Sequence, residues 1–133
     1  MKLLNKLIII ICVFSLTSCM AQESIVISYK AQTRGFLYSI QLNNNLLEIN
    51  TNGIIKKTEL SKTQLTTVNN TFSKINFDII ENNISQDELA VDRAIKGIFD
   101  INTKSKSYKF ELDHNNLPIG IQKLFTQLDN FVN

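Results

Sequence analysis

Leu46-Leu47-Glu48-Ile49-Asn50-Thr51-Asn52-Gly53-Ile54-Ile55-Lys56-Lys57-Thr58-Glu59-Leu60-Ser61-Lys62-Thr63-Gln64-Leu65 is the stretch on which the fold turns. Asn52-Gly53 is a strong two-residue hairpin signal, because a type I′ turn needs positive φ at both central positions and Asn and Gly reach it at least cost. It joins a strand predicted over residues 46–50 to one predicted over 54–60. At Ser61 the period changes. Ser61 with Gln64 reads as a capping box, and Leu65, Val68, Phe72 and Ile75 recur at helical spacing, which predicts a helix over residues 61–75 with one apolar stripe. A hairpin that runs directly into an amphipathic helix sets a sheet and a helix against each other.

On the N-terminal side, Ile25, Ile27 and Tyr29 alternate with Ser24, Val26, Ser28 and Lys30, the pattern of a half-buried strand. Residues 31–35 break it, and Phe36, Tyr38, Ile40 and Leu42 resume it, so the two segments read as a hairpin. Asn43-Asn44-Asn45 then turns the chain. Beyond the helix, residues 77–89 admit two readings: a loop, or a short helix capped by Ser85 and Glu88. Alternation returns after Arg93 with Ile95, Phe99 and Ile101. Polar residues 102–105 separate it from Tyr108, Phe110 and Leu112, giving a second hairpin. Pro118 occupies a favoured first helical position, and Ile121, Leu124, Phe125, Leu128, Phe131 and Val132 trace an apolar face to the end of the chain. The order ββββ-α-ββ-α predicts an α+β fold: an antiparallel sheet of about six strands with two helices packed on one face.

The first residues carry a different message. Met1-Lys2-Leu3-Leu4-Asn5-Lys6 is a basic start, followed by an uncharged apolar run over residues 7–16. A membrane-spanning helix needs about 20 apolar residues, so this run reads as a signal peptide. Leu16-Thr17-Ser18-Cys19 resembles the bacterial lipobox, in which the cysteine thiol receives diacylglycerol and the chain is then cut before it. That resemblance implies a signal peptide over residues 1–18, lipidation (palmitate among the acyl chains) at Cys19, a short tether over 19–24 and one domain over 25–133. A competing reading is ordinary cleavage after Cys19-Met20-Ala21, releasing a soluble protein that begins at Gln22. The one acid in Met20-Ala21-Gln22-Glu23-Ser24 is fewer than a surface-export cluster carries, which points to an outer-membrane position facing the periplasm.

Composition narrows the function. Without Lys2 and Lys6, the fourteen Lys and Arg fall to twelve, matching twelve Asp and Glu. A near-neutral body with no basic cluster larger than Lys56-Lys57 is not a nucleic-acid binder, since that needs a basic stripe along the phosphates. The two cysteines are Cys12 and Cys19, so the domain has no disulfide and its core alone must hold it. Sixteen asparagines include runs at Asn43-Asn44-Asn45, Asn69-Asn70, Asn82-Asn83 and Asn115-Asn116. Three of these fall at expected turns, and Asn69-Asn70 falls within the first helix. Asn69-Asn70-Thr71 and Asn83-Ile84-Ser85 match glycosylation acceptors, which are accidental in a bacterial lipoprotein.

Candidate chemistry is sparse. His114, in Asp113-His114-Asn115-Asn116, is the only histidine. It reads as a solvated turn residue, because a catalytic triad would need a nucleophile and an acid that no local pattern supplies. Zinc would want three or four ligands, and calcium a dense loop of oxygens. Asp87, Glu88 and Asp92 offer the best acidic group, but a helix cap or solvated face accounts for them. Gly35 reads as a turn with positive φ, and Gly97 as a bulge or close approach within a strand. Arg34 beside Phe36 has the composition of an interface hot spot, though Phe36 buried with Arg34 in water is the simpler arrangement. No catalytic, metal or cofactor residue is assigned and no cofactor is expected. Ligand-binding residues stay unassigned.

One resemblance covers most of the mature chain. A glycine-bearing first hairpin at Arg34-Gly35-Phe36, a long helix, an Asp92-led strand, the strand Tyr108-Lys109-Phe110-Glu111-Leu112 and a proline-started helix with Leu124 and Leu128 together resemble emfourin-type inhibitors of thermolysin-like metalloproteases. Such inhibitors usually carry a glycine pair at the first turn, where this chain has Gly35 alone. The resemblance implies a protease as partner and transfers no inhibitory residue. Two functions therefore stand as expectations: a non-catalytic binding or interaction lipoprotein of the cell envelope, with the membrane and a protein as partners, or an emfourin-like protease inhibitor.

Overall fold

The computed structural model describes residues 24–133, apart from 83, 85 and 91–93 and the side chains of 86 and 88. The signal peptide, Cys19 and the tether as far as residue 23 lie outside the described residues, as do Asp92 and Arg93. Six strands form one antiparallel sheet: β1 (Val26–Thr33), β2 (Phe36–Asn43), β3 (Leu46–Thr51), β4 (Ile54–Glu59), β5 (Lys96–Asn102) and β6 (Ser107–Asp113). Their spatial order is β4-β3-β2-β1-β5-β6. The first four make a meander outward from β1, and the second hairpin is added along the other side of β1.

The turns follow from their residues. Asn52 and Gly53 take φ of 53° and 90°, Gly35 takes 85°, and Asn44 adopts 57°, a conformation asparagine tolerates better than most residues. Gly53 N–H donates to Asn50 Oδ1 at 2.9 Å, and Leu37 N–H donates to Asn52 Oδ1 at 2.8 Å, tying the β3–β4 tip to β2 beside it.

Helix α1 (Lys62–Ser73) carries the full capping box: Gln64 N–H donates to Ser61 Oγ at 3.2 Å and Ser61 N–H to Gln64 Oε1 at 2.9 Å. It stops before Ile75, which still packs on the core. Residues 77–89 are neither one helix nor one loop. They hold a 3-10 turn at Phe77–Ile79, capped by the Asn76 side chain, and a separate short helix α2 (Gln86–Ala90). A second 3-10 turn at His114–Asn116 precedes α3 (Ile119–Val132), where Pro118 is the N-cap, one position earlier than expected.

The parity of the strands decides which face is covered. Ile27, Tyr29, Ala31, Ile40, Leu42, Leu47, Ile49, Phe99, Ile101 and Leu112 point to one face and are buried against Val68 of α1 and Ile121, Leu124, Phe125 and Leu128 of α3. Each fully buried aliphatic contributes roughly 1.5–3 kcal/mol, the stabilisation a domain without disulfides depends on. No helix among the described residues is long and apolar enough to cross a membrane. The other face carries Ser28, Lys30, Ser39, Gln41 and Glu48, laced by cross-strand ion pairs Lys57–Glu48 at 2.7 Å and Lys109–Asp100 at 3.9 Å.

The meander also sorts residues between two ends of the sheet. Ser24, Asn44 and Asn45 lie at the end where β1 begins, and the Arg34-Gly35 and Asn52-Gly53 tips lie at the other. Eight residues of β1 separate the ends by roughly 25 Å.

Candidate interaction site

Two places combine unusual chemistry with access. The first surrounds His114. Asp113 is buried at the end of β6, and its carboxylate accepts from Ile95 N–H at 3.1 Å and Asn115 N–H at 3.0 Å, while His114 N–H donates to the Ile95 carbonyl at 2.8 Å. The turn is thereby fixed to the start of β5. It swings the imidazole over the sheet, where Nδ1 pairs with the Tyr29 hydroxyl at 2.8 Å and the ring packs on Phe36, Tyr38 and Tyr29, with centroids 5.1, 5.3 and 5.8 Å away. His114 is therefore half-buried, and its expected place in solvent is corrected. Its partner lies 85 residues away in sequence, beyond the reach of any local pattern.

Burial pushes the His114 pKa below its ordinary value, against the opposing pull of the Asp113 carboxylate. Burial also pushes the Tyr29 phenol up, with Asp113 adding to the shift. Tyr38 rises through burial first and then through its hydrogen bond, its hydroxyl donating to Asp129 Oδ2 at 2.8 Å. The cluster therefore holds a neutral imidazole and two protonated phenols, a polar lock joining β1, β2, the end of β6 and α3. Beside it lies a shallow hollow of about 270 Å³ lined by Tyr38, His114, Phe125, Thr126 and Asp129. The Thr126 hydroxyl there donates to the Gln122 carbonyl, so its proton is already engaged.

The second place is an edge. At the β6 margin, the chain after α1 folds back along the strand. Glu111 N–H donates to Asn82 Oδ1 at 2.8 Å, the Tyr108 hydroxyl donates to Asp78 Oδ1 at 3.3 Å, and Phe77 packs on Tyr108 with ring centroids 5.2 Å apart. Among the described residues nothing comparable covers β4. Leu60 N–H donates to the Asn45 carbonyl, so by alternation Ile54, Lys56 and Thr58 bond to β3 while Ile55, Lys57 and Glu59 turn their peptide groups outward. Among the described residues no hydrogen bond reaches that outer side. Ile54 is 69 % exposed and Ile55 52 %. Next to them a hollow of about 270 Å³ opens between the strand and the end of α3, lined by Ile49, Ile54, Lys56 and Val132 among others.

Sequence pattern alone did not single out this edge. A half-buried strand alternates, whereas Ile54-Ile55-Lys56-Lys57 does not. That lack of alternation was the available signal of a strand covered on neither its outer face nor its outer edge. Of the residues singled out beforehand, Arg34 is exposed at its hairpin tip and Phe36 is half-buried on His114, which is the simpler of the two arrangements. Gly97 is a close approach: a Cβ there would sit 2.2 Å from the Tyr29 hydroxyl oxygen. Asp87 is exposed on α2, and the Glu88 side chain and Asp92 lie outside the described residues. Among the described residues no three His, Cys, Asp or Glu side chains converge on a possible metal position. Comparison of the chain with protein-family models, with curated proteins and with solved structures returns no match.

Proposed function

We propose that this chain is a non-catalytic lipoprotein of the cell envelope, held by lipid on Cys19, whose domain is an interaction module that receives an extended segment of a protein partner along β4. The bare outer edge of β4, with two exposed isoleucines, carries the reading. An open strand edge offers a row of unpaired peptide groups, and proteins ordinarily cover or blunt such rows unless they are used. The tether supports it too. Ser24 leaves the sheet at the end opposite the Asn52-Gly53 tip, so a lipid on Cys19 would place Ile54 and Ile55 away from the bilayer.

Labelled palmitate should enter the wild-type protein and not Cys19→Ala. A photo-crosslinking residue at position 55 should form a discrete adduct in cells, whereas one at position 109, on the strand by the covered margin, should not. Equal labelling of both proteins removes the anchor, and equal adducts at both positions remove the β4 site.

The same edge favours one second reading, an emfourin-like inhibitor that lays a strand into the peptide groove of a thermolysin-like metalloprotease. Equimolar mature protein should then abolish the activity of such an enzyme. Undiminished activity rules that reading out and leaves the interaction module standing.

A further inference from the structure

We infer that the outer edge of β4 selects an extended partner segment with two adjacent acidic residues beside two aliphatic ones, and that it rejects a second copy of this chain. The inference rests on the reading of β4 as a docking edge and adds the chemistry of what docks.

Its starting point is self-pairing, the simplest fate of a bare edge. β4 has six residues, Ile-Ile-Lys-Lys-Thr-Glu. Because residues 55, 57 and 59 carry the outward peptide groups, antiparallel pairing of two copies sets odd residues opposite odd ones and even opposite even. The two longest registers of that kind set Lys56 opposite Lys56, or Lys57 opposite Lys57. Like charges directly opposite one another destabilise a strand pair, so every extensive register of the homodimer is penalised.

A different strand meets the reverse situation. Lys57 spans to Glu48 at 2.7 Å, yet its side chain is 57 % exposed, and an ammonium has three donors, so a second carboxylate can be accepted from the open side. Lys56, on the helix-covered face, reaches the Asn133 carboxamide. It too has donors to spare. An aliphatic side chain opposite Ile54 would lie on that same face, beside the hollow between Ile49, Ile54 and Val132; one opposite Ile55 would cover that residue on the other face. Read antiparallel from Glu59 back to Ile54, the complementary segment is polar, polar, acidic, acidic, aliphatic, aliphatic.

The test is amide chemical-shift mapping on the mature full chain in detergent micelles, with the peptide Lys-Thr-Glu-Glu-Val-Val and its charge-reversed partner Lys-Thr-Lys-Lys-Val-Val as probes. The acidic peptide should shift the amides of residues 55, 57 and 59 and bind at least about tenfold more tightly than the basic one. Lys56→Glu with Lys57→Glu should reverse the preference. Lys57→Pro removes an outward N–H, which an edge strand tolerates, together with the Lys57 ammonium and its exposed pair with Glu48, and should abolish binding of both peptides with the spectrum away from residues 48 and 56–58 unchanged. Equal binding of the two peptides, shifts mapping away from β4, or dimerisation through β4 on concentration each overturn the inference. If in-cell crosslinks at position 55 persist while the acidic peptide fails, the partner chemistry falls and the docking edge survives.

Discussion

The two margins of this sheet are built from strands of similar length, yet one is partly covered and the other, among the described residues, is bare. Along β6, Asn82 fills the Glu111 N–H, Asp78 takes the Tyr108 hydroxyl, and Phe77 seals the join against Phe72, Tyr108 and Phe110. Along β4, isoleucines and lysines stand in solvent with peptide groups turned outward. A chain that can close one edge with a short stretch after its first helix has the means to close an edge. The other is bare among the described residues, with lysines along it that deter self-pairing, and the proposed docking of a partner rests on that difference.

Four substitutions or titrations sharpen or break that contrast, taken from the largest effect down. Phe77→Ala removes the aromatic plug of the closed margin and should cost about 3–4 kcal/mol in urea unfolding. A loss under about 1 kcal/mol would mean that the margin is not sealed by packing. Gly97→Ala drives a methyl group into the Tyr29 ring, which is held between Phe99 and Phe125 with centroids 6.1 and 4.5 Å away. Overpacking of this kind costs about 2–3 kcal/mol, to be read from the unfolding midpoint, and an unchanged midpoint would show that Tyr29 can move aside.

His114 gives a pH dependence whose sign is fixed by its lowered pKa. Above the unfolded value of about 6.5 both states are neutral and this group has no effect. As pH falls through that value the unfolded chain takes the proton first, so stability declines, and the decline ends below the folded pKa. His114→Gln should flatten that slope as the pH falls below about 6.5. Stability that rises on acidification would contradict the buried, neutral imidazole. Smallest of all, Ile54→Ala at the bare margin should change stability by less than about 0.5 kcal/mol, since little of the side chain is packed.

The same contrast explains what could be read from the sequence. Strands, hairpins and both long helices were legible because period-two and helical apolar spacing, Asn52-Gly53 and the Ser61/Gln64 box are local signals with local causes. Residues 77–89 were not, because their course is set by Phe77 finding Tyr108 and Phe110, and Asn82 finding Glu111, roughly thirty positions along the chain. His114 failed for the same reason, its environment being supplied by Tyr29 from the central strand. Gly97 was legible as a close approach, although Tyr29 as the group it admits was not. Which strands form the margins depends on sheet order, and no single strand states that order. The bareness of β4 therefore appears only when β5 and β6 are seen to lie beyond β1.

Amide hydrogen exchange on the free mature protein tests the asymmetry most directly. The Glu111 amide should exchange several-fold more slowly than an unprotected amide, while those of Ile55, Lys57 and Glu59 should exchange at rates near those of the unfolded chain. Protection of the three β4 amides equal to that of Glu111 would mean that both margins are closed, and the account of β4 as the docking edge would be wrong.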